Sequence, residues 1–308
     1  MKILIELPTW LGDAVMSTPA IENLLNFYNN SQITLIGSKI AIDLLQNHPK
    51  VINTVVIDRN FIKLYKVIKG LDEFDLFFSF RSSLRAKVIK FCISSKNKYQ
   101  FDKRNHKKVH QVEKYNNFIN ESLGIKSIAS KLTLHFNKKV SIKHNKLLGI
   151  NPGASYGSAK RWYPKKFANV ASELSSEYDI IIFGGDGEKE IAADIEKYLI
   201  EKGINNYQNL AAKTSIKELI SKIASIDLFI TGDSGPMHLA AAFQIPTVAI
   251  FGPTQVDETS QWMNLKSIIV KKNLICQPCM KRTCPLKHHN CMKEIEETDV
   301  LKAVKGLN

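Results

Sequence analysis

The sequence predicts an α/β fold built on two doubly wound parallel sheets, one in residues 1–145 and one in residues 146–308. Three observations predict it. Short apolar runs alternate with stretches of helical apolar spacing, which is the βαβ rhythm of a parallel sheet. The alternation stops in a polar stretch at 138–146, which looks like a linker, and restarts at Leu147. Finally, the unusual loops of the second half each follow a predicted strand, so they gather on one sheet edge, where open α/β sheets bind ligands.

A length of 308 residues fits two domains of about 150 each, and an apolar fraction of 44% is ample for two cores. No run approaches the ~18 consecutive apolar residues of a membrane span. Met1-Lys2-Ile3-Leu4-Ile5-Glu6 leads straight into a strand, without the apolar core of a signal peptide, so a soluble cytoplasmic protein is expected. The net charge of +14 is uneven: residues 1–145 carry +12 and residues 146–308 carry +2. An anionic partner for the first half follows, whether nucleic acid, an anionic membrane surface or a phosphorylated substrate. A lysine-rich composition without functional meaning is the plainer alternative.

In the first half, residues 2–7 read as a strand and 14–28 as a helix. Between them, Pro8-Thr9-Trp10-Leu11-Gly12-Asp13 lacks the G-x-G-x-x-G of a dinucleotide site, which counts against a nicotinamide or flavin enzyme. Gly12 suits a tight turn and Asp13 stands at the helix entrance. Asp13 is then either a helix cap or a general base pointing from a strand end into a cleft. Strand and helix signals follow in pairs at 32–36 and 40–46, 54–57 and 61–68, and 76–80 and 84–92. Arg81 and Arg85 lie just after a strand end, where they suit a phosphate or carboxylate. Residues 96–114 are basic, with His106 and His110, but lack the interleaved aromatics of a single-strand nucleic-acid platform and read as a loop.

The second half opens with a strand at 147–151. The small-residue loop Asn151-Pro152-Gly153-Ala154-Ser155-Tyr156-Gly157-Ser158-Ala159-Lys160-Arg161-Trp162 then leaves backbone N–H groups for a phosphate, with Lys160 as a point charge. A strand at 179–183 ends in Gly184-Gly185-Asp186-Gly187-Glu188. These carboxylates complement a helix dipole, or Glu188 binds ribose hydroxyls.

The clearest signal is Ile230-Thr-Gly-Asp-Ser-Gly-Pro-Met-His-Leu239, set between an apolar strand at 226–230 and helical spacing at 239–243. A strand-to-helix turn offers unpaired N–H groups and a dipole to an anion. Gly232 and Gly235 let the backbone approach closely. Ser234 suits the cap, with Gly235 and Pro236 in the first turn. Asp233 would repel a phosphate and fits sugar hydroxyls better, unless it too serves the cap. His238 is either packed or a ligand contact. A further strand at 247–251 ends in Gly252-Pro253-Thr254.

Four of the five cysteines crowd one loop as Cys276-x2-Cys279-x4-Cys284-x6-Cys291, beside His288 and His289. Reduced cysteines at this density favour structural zinc over disulfides, but the spacing departs from paired C-x-x-C motifs. Packing cysteines and a redox-sensitive pair stay open, and Cys92 reads as core. No clear D-x-D motif lies in a suitable loop, so phosphate chemistry here is expected to be metal-independent, with no cofactor and no catalytic metal ligand.

Taken together, Trp10-Leu11-Gly12-Asp13, the 152–162 loop, Asn209-Leu210-Ala211 with Thr214, Gly232-Asp233-Ser234-Gly235-x-x-His238 and Phe251-Gly252-Pro253-Thr254 resemble the ADP-heptose:lipopolysaccharide heptosyltransferases of glycosyltransferase family nine. The order matches across both halves. The 151–162 loop is most similar to that of the enzymes adding the second inner-core heptose.

The resemblance implies a GT-B fold, two Rossmann-like domains facing across a cleft, the first binding acceptor and the second ADP-heptose. It implies inversion at the anomeric carbon, with Asp13 as general base and Lys160 meeting the departing diphosphate beside Ser155 and Tyr156. It places Glu188 on the adenosine ribose, Asp233 near the sugar, and Ser234, Gly235 and His238 around the diphosphate. The implied partners are ADP-heptose and an anionic heptosyl-Kdo-lipid A acceptor, reached by peripheral contact with the inner face of the inner membrane, and not nucleic acid. Pro236 and Met237 depart from the family pattern near the sugar. Alternatives are a family-nine enzyme that uses another nucleotide sugar or adds the first heptose, an epimerase or phosphorylase on the same scaffold, and a non-catalytic nucleic-acid-binding protein.

Overall fold

A computed structural model of the chain describes residues 1–57, 60–105, 108–136, 145–153 and 156–307. It divides into two compact units, Met1–Asn137 and Lys138–Asn308. Of the predicted linker at 138–146, all but the last two positions lie outside the described residues.

Unit 1 runs β1 (Lys2–Glu6), α1 (Leu11–Met16), α2 (Thr18–Phe27), β2 (Gln32–Gly37), α3 (Lys39–Leu45), β3 (Val51–Val56), α4 (Phe61–Lys69), β4 (Phe74–Ser79), α5 (Leu84–Cys92), β5 (Ser95–Gln100) and α6 (Gln111–Leu123). The strands form one parallel sheet in the order β3-β2-β1-β4-β5, with Ile3 opposite Ile33 on one side and Leu76 on the other. β1 is central because Ile3, Leu4 and Ile5 are apolar on both faces, as a parallel strand covered by helices requires.

Two local readings change. The first helix begins at Leu11 rather than 14, so Gly12 lies inside α1 instead of in a turn. The helical run also breaks at Ser17, and Pro19 opens α2, where its missing N–H costs nothing. The basic stretch at 96–114 is not a loop throughout. It contributes edge strand β5, paired with β4 from Phe74 opposite Ser95, and the start of α6. His110 caps α6 through Nδ1, accepting from the Val112 N–H, and Glu113 accepts from the His110 N–H in return. His106 lies outside the described residues.

Unit 2 runs β6 (Lys146–Asn151), α7 (Pro164–Leu174), β7 (Tyr178–Ile182), α8 (Lys189–Glu201), β8 (Tyr207–Asn209), α9 (Ile216–Ile223), β9 (Leu228–Gly232), α10 (Gly235–Ala242), β10 (Thr247–Ile250), α11 (Val256–Thr259), β11 (Ser267–Val270), α12 (Asn290–Lys293) and α13 (Glu297–Lys305). Its sheet is parallel in the order β11-β10-β9-β6-β7-β8. Trp162, Phe167, Phe183, Phe229 and Phe251 are fully buried, each worth about 1.5–3 kcal/mol of apolar transfer. Trp162, which ends the small-residue loop, also donates its indole N–H to the Ile295 carbonyl at 3.1 Å, pinning that loop to the core.

Candidate functional site

Each sheet has one place where the chain reverses its direction of growth. In unit 2 it is between β6 and β9, and in unit 1 between β1 and β4. Ligands of doubly wound sheets bind there, beyond the carboxyl ends of the strands. Of the candidate residues of unit 2, Tyr156 and Lys160 follow β6, Glu188 follows β7, and Asp233, Ser234, Gly235 and His238 follow β9, while Asp13 follows β1.

In unit 2 the two loops are joined by charge. Lys160 Nζ lies 2.5 Å from Asp233 Oδ2, and the two side chains are only 12% and 5% exposed. The Thr254 hydroxyl donates to the same carboxylate oxygen at 2.6 Å, bringing in the loop after β10. The Lys160 ammonium also stands over the Tyr156 ring, 4.8 Å from its centroid. The cation expected at the diphosphate is therefore held in place by a buried carboxylate and an aromatic face. A second tie comes from Asn151, at the end of β6. Its amide donates to Ser234 Oγ at 3.0 Å and approaches the Gly153 carbonyl and Thr231 Oγ1 at 3.4 Å. Ser234 occupies the cap position of α10, yet makes no side-chain cap bond. Its hydroxyl is shared with Asn151 and Thr231 instead.

Glu188 is buried against the same loop. Its carboxylate accepts from the Gly185 N–H at 2.7 Å, and its stem lies across Gly153, where a Cβ would stand 1.9 Å from Glu188 Cγ. Gly153 is therefore required by a close approach. Gly235 opens α10, and His238 is buried one turn into it. Ser155 lies outside the described residues. The structure thus assembles Lys160, Tyr156, Asp233 and Thr254 through shared contacts, ties Ser234 to Asn151, and places Glu188 over Gly153. A surface groove lined by Glu196, Ile200, Tyr207 and Lys213 among others contains none of these residues.

Asp13 is half-buried at the third position of α1, whose N-cap is Trp10, so the carboxylate is not the cap. Its charge reaches Tyr115: burial first, and then Asp13, push that phenol well above its usual pKa. Beside β1, the fully buried Glu6 accepts from Ser79 Oγ at 2.6 Å and pairs with Arg81 Nη1 at 3.2 Å. Burial raises the Glu6 carboxyl pKa despite these partners. Arg81 is thus committed to an internal carboxylate. Arg85 instead lies over the Phe61 ring, 5.6 Å from its centroid, joining α4 to α5.

Those two helices carry an exposed apolar face in Phe61, Ile62, Tyr65, Leu84, Val88 and Phe91, with Leu84 79% and Phe91 86% exposed. Lys63, Lys66, Lys69, Arg85, Lys87 and Lys90 lie among them in sequence. Among the described residues no helix is long and apolar enough to cross a membrane.

Sequence reasoning missed Asn151, Thr254 and Glu6. Asn151 and Glu6 had a signal, since each is a lone polar residue closing an apolar strand at the sheet's ligand edge. The cysteine loop also reaches the site. All four of its thiols are free, and burial first, then the other three thiols, push Cys291 up to about 11.

Residues 78–290 match the family described as glycosyltransferase family 9 (heptosyltransferase). The chain is 45% identical over 318 residues to the lipooligosaccharide heptosyltransferase 2 of Campylobacter jejuni subsp. jejuni serotype O:6, covering 100% of this chain and 99% of the relative. Among solved structures it is similar to the ADP-heptose lps heptosyltransferase II of Escherichia coli, with a TM-score of 0.81 at 22% identity, covering 100% and 98% of the two chains. An E. coli heptosyltransferase solved with ADP gives 0.80 at 14% identity, covering 100% of both.

Proposed function

The chain belongs to glycosyltransferase family 9, the heptosyltransferases, and from that premise we propose that it adds the second heptose of the lipopolysaccharide inner core, from ADP-heptose to heptosyl-Kdo-lipid A. The observation that carries the donor half is the Lys160–Asp233 pair, which ties the loops after β6 and β9 at the switch point of unit 2. The full-length 45% identity to a protein named heptosyltransferase 2 supports the second heptose over the first.

In this reading unit 2 binds the donor. Glu188 takes the ribose hydroxyls, Lys160, Ser155 and Tyr156 hold the diphosphate with Ser234, Gly235 and His238, and Asp233 faces the sugar. Unit 1 binds the acceptor, and Asp13 is the base. As the acceptor hydroxyl oxygen attacks the anomeric carbon, its proton passes to the Asp13 carboxylate. The bond from that carbon to the β-phosphate oxygen breaks, and its electron pair leaves with ADP. Attack opposite the leaving group inverts the centre. Lys160 and the N-terminal amides of α10 face the charge that develops on the diphosphate, so they stabilise the transition state more than the ground state. Once phosphate is bound, Lys160 has a second anionic partner, and Asp233 is released toward the sugar hydroxyls.

The acceptor is a phosphorylated, carboxylated lipid, which suits the +12 of residues 1–145. The α4–α5 face, apolar and studded with lysines, fits peripheral contact with an anionic leaflet. A calorimetric titration with ADP, UDP and GDP tests the donor. Selective ADP binding that weakens in Lys160→Ala is expected. Preference for UDP or GDP overturns the heptose donor and points to another nucleotide sugar.

A further inference from the structure

We propose that Cys276, Cys279, Cys284 and Cys291 together bind one soft divalent transition-metal ion, the class Zn2+ represents, and that this ion fastens the loop carrying Lys160. Metal binding by these residues does not rest on the proposed reaction.

The stretch 271–289 contains no helix or strand, and no residue from 271 to 290 is buried. Leu274 packs against the core of unit 2, but Ile275 is fully exposed and Leu286 is 59% exposed. A long irregular segment without a core of its own needs another source of order. All four cysteines line one small cavity, together with His288, His289 and Ala159. Its volume, about 20 Å³, exceeds the ~10–15 Å³ that one atom-sized occupant needs. Met280, Lys287 and His289, each next to or near a cysteine, adopt left-handed backbone conformations with φ of 53°, 59° and 55°. Such non-glycine conformations cost energy and persist where something holds them.

Charge supplies an independent argument. From Lys271 to Lys293 there is no Asp or Glu, while Lys271, Lys272, Lys281, Arg282, Lys287 and Lys293 are all cationic. A divalent ion on four thiolates carries a net charge of about −2, which this surround neutralises. The absence of carboxylates selects against hard cations, and the thiols select for soft ones.

Among the described residues, the three ligand atoms already within 4.8 Å of one another belong to Glu22, His48 and His135. That trio is a poor metal site, because His48 Nδ1 accepts the Lys50 N–H at 3.1 Å. The ring proton is then on Nε2, the atom that faces Glu22. No three of the four sulfurs lie within 4.8 Å of one another, so an ion draws Cys276, Cys279 and Cys284 toward Cys291, which is anchored in the core of unit 2.

The consequence lies in what this segment touches. The Arg282 carbonyl accepts the Ala159 N–H at 3.0 Å, and the Met280 carbonyl accepts the Tyr156 hydroxyl at 2.6 Å. His289 Nε2 lies 2.9 Å from the Ala159 carbonyl, and Gln277 donates to the Gly252 carbonyl at 2.6 Å. A Cβ on Gly157 would stand 2.3 Å from the Arg282 oxygen. The cysteine loop therefore braces Tyr156, Gly157 and Ala159, on the loop that carries Lys160, and Gly252 in the loop of Thr254.

The test uses the full chain purified under reducing conditions. Metal analysis is expected to find about one zinc or iron per chain. After chelation, one equivalent of Zn2+ should rebind, and Co2+ should give sulfur-to-metal charge transfer with tetrahedral ligand-field bands. Cys279→Ser and Cys284→Ser should each weaken Zn2+ binding by at least about 10–100-fold, the loss typical of even an outer partner of a metal site, while Cys92→Ser leaves it unchanged. Should the serine variants fail to fold, alkylation of the wild type decides. With Zn2+ only Cys92 should react readily, and without it all five thiols. Hydrogen exchange at the Ala159 amide should quicken about tenfold or more on metal removal. Failure to bind Zn2+, an octahedral Co2+ spectrum without charge transfer, or thiol reactivity indifferent to Zn2+ would each overturn the proposal.

Discussion

The two units place their candidate groups in the same topological position but hold charge in opposite ways. In unit 2 the cation and carboxylate of the site neutralise each other, Lys160 against Asp233, with Thr254 and Asn151 completing the hydrogen bonds. In unit 1 the internal pair is Arg81 with Glu6, and Asp13 occupies the third position of α1. The net charge of residues 1–145 is +12, and α4 and α5 contribute Lys63, Lys66, Lys69, Arg85, Lys87 and Lys90 to it. A site for a small, doubly charged donor benefits from a counter-charge that is fixed before binding, since a preorganised dipole costs no reorganisation during reaction. A site for a large anionic lipid is served by a field spread over a surface.

The sharpest test of that division is Asp13→Ala. If the base belongs to unit 1 and the donor to unit 2, turnover should fall by about 10²–10⁴-fold while calorimetric ADP affinity stays within twofold of wild type. Turnover that survives would leave Asp13 as a dipole complement of α1. Next in size is Lys160→Ala. It strands the buried Asp233 carboxylate, and breaking such a pair costs about 3 kcal/mol even at the low end. Thermal melting should show that loss, kcat should fall about 10²–10³-fold, and ADP binding should weaken. Adding Asp233→Asn should restore much of the stability and none of the rate. Additive stability losses in that cycle would mean the pair is not coupled.

Gly153→Ala probes the same unit without touching charge. Its Cβ would overlap the Glu188 stem, and forced repacking costs about 1–3 kcal/mol. Combining it with Glu188→Ala should recover stability while ADP affinity stays low. Recovery of affinity as well would remove Glu188 from the ribose. On unit 1, Leu84→Glu or Phe91→Glu should weaken binding to anionic vesicles at least about fivefold, the equivalent of ~1 kcal/mol near such a surface. ADP titrations should not change, and binding indifferent to both substitutions would move the contact elsewhere.

Local chemistry made much of this legible in advance. The switch from a continuous apolar run to helical spacing around Gly232 and Gly235 marked β9, α10 and the turn between them, and the restart at Leu147 marked β6. Signals failed where local appearance and tertiary context diverge. Trp10-Leu11-Gly12-Asp13 looks like a turn but forms the first turn of α1, whose Gly12 is buried. Ser95–Gln100 reads Ser-Lys-Asn-Lys-Tyr-Gln, too polar for a core strand, and is a strand because it sits at the sheet edge, paired on one side with β4. The pairing of Lys160 with Asp233, and of Glu6 with Ser79 and Arg81, spans more than seventy residues each. No spacing rule connects positions that only the sheet order makes neighbours.

The smallest predicted effect asks whether unit 1 has a proton-sensitive contact of its own, away from the sheet's ligand edge. Glu22 on α2 lies 3.4 Å from both His48 Nε2 and His135 Nε2, and the two rings meet edge-on at 4.6 Å. The hydrogen bond from His48 holds the Glu22 carboxyl below its ordinary value of 4.5, against the opposing effect of burial, with electrostatic attraction to both rings and the His135 bond adding to the lowering. A carboxyl whose folded pKa is depressed contributes stability that is fully present above its unfolded pKa and is lost as pH falls through the folded one. The melting temperature of Glu22→Gln should therefore lie below wild type at neutral pH, and the gap should close as pH drops below about 4.5, the ordinary value of a glutamate carboxyl. His135 belongs to the last described stretch of unit 1, so this contact ties that stretch back to α2, alongside the Thr133 N–H that donates to Thr18 Oγ1 at 3.0 Å. A gap that persists unchanged at low pH would show that Glu22 stabilises through packing, and that the two histidines do not report on its charge.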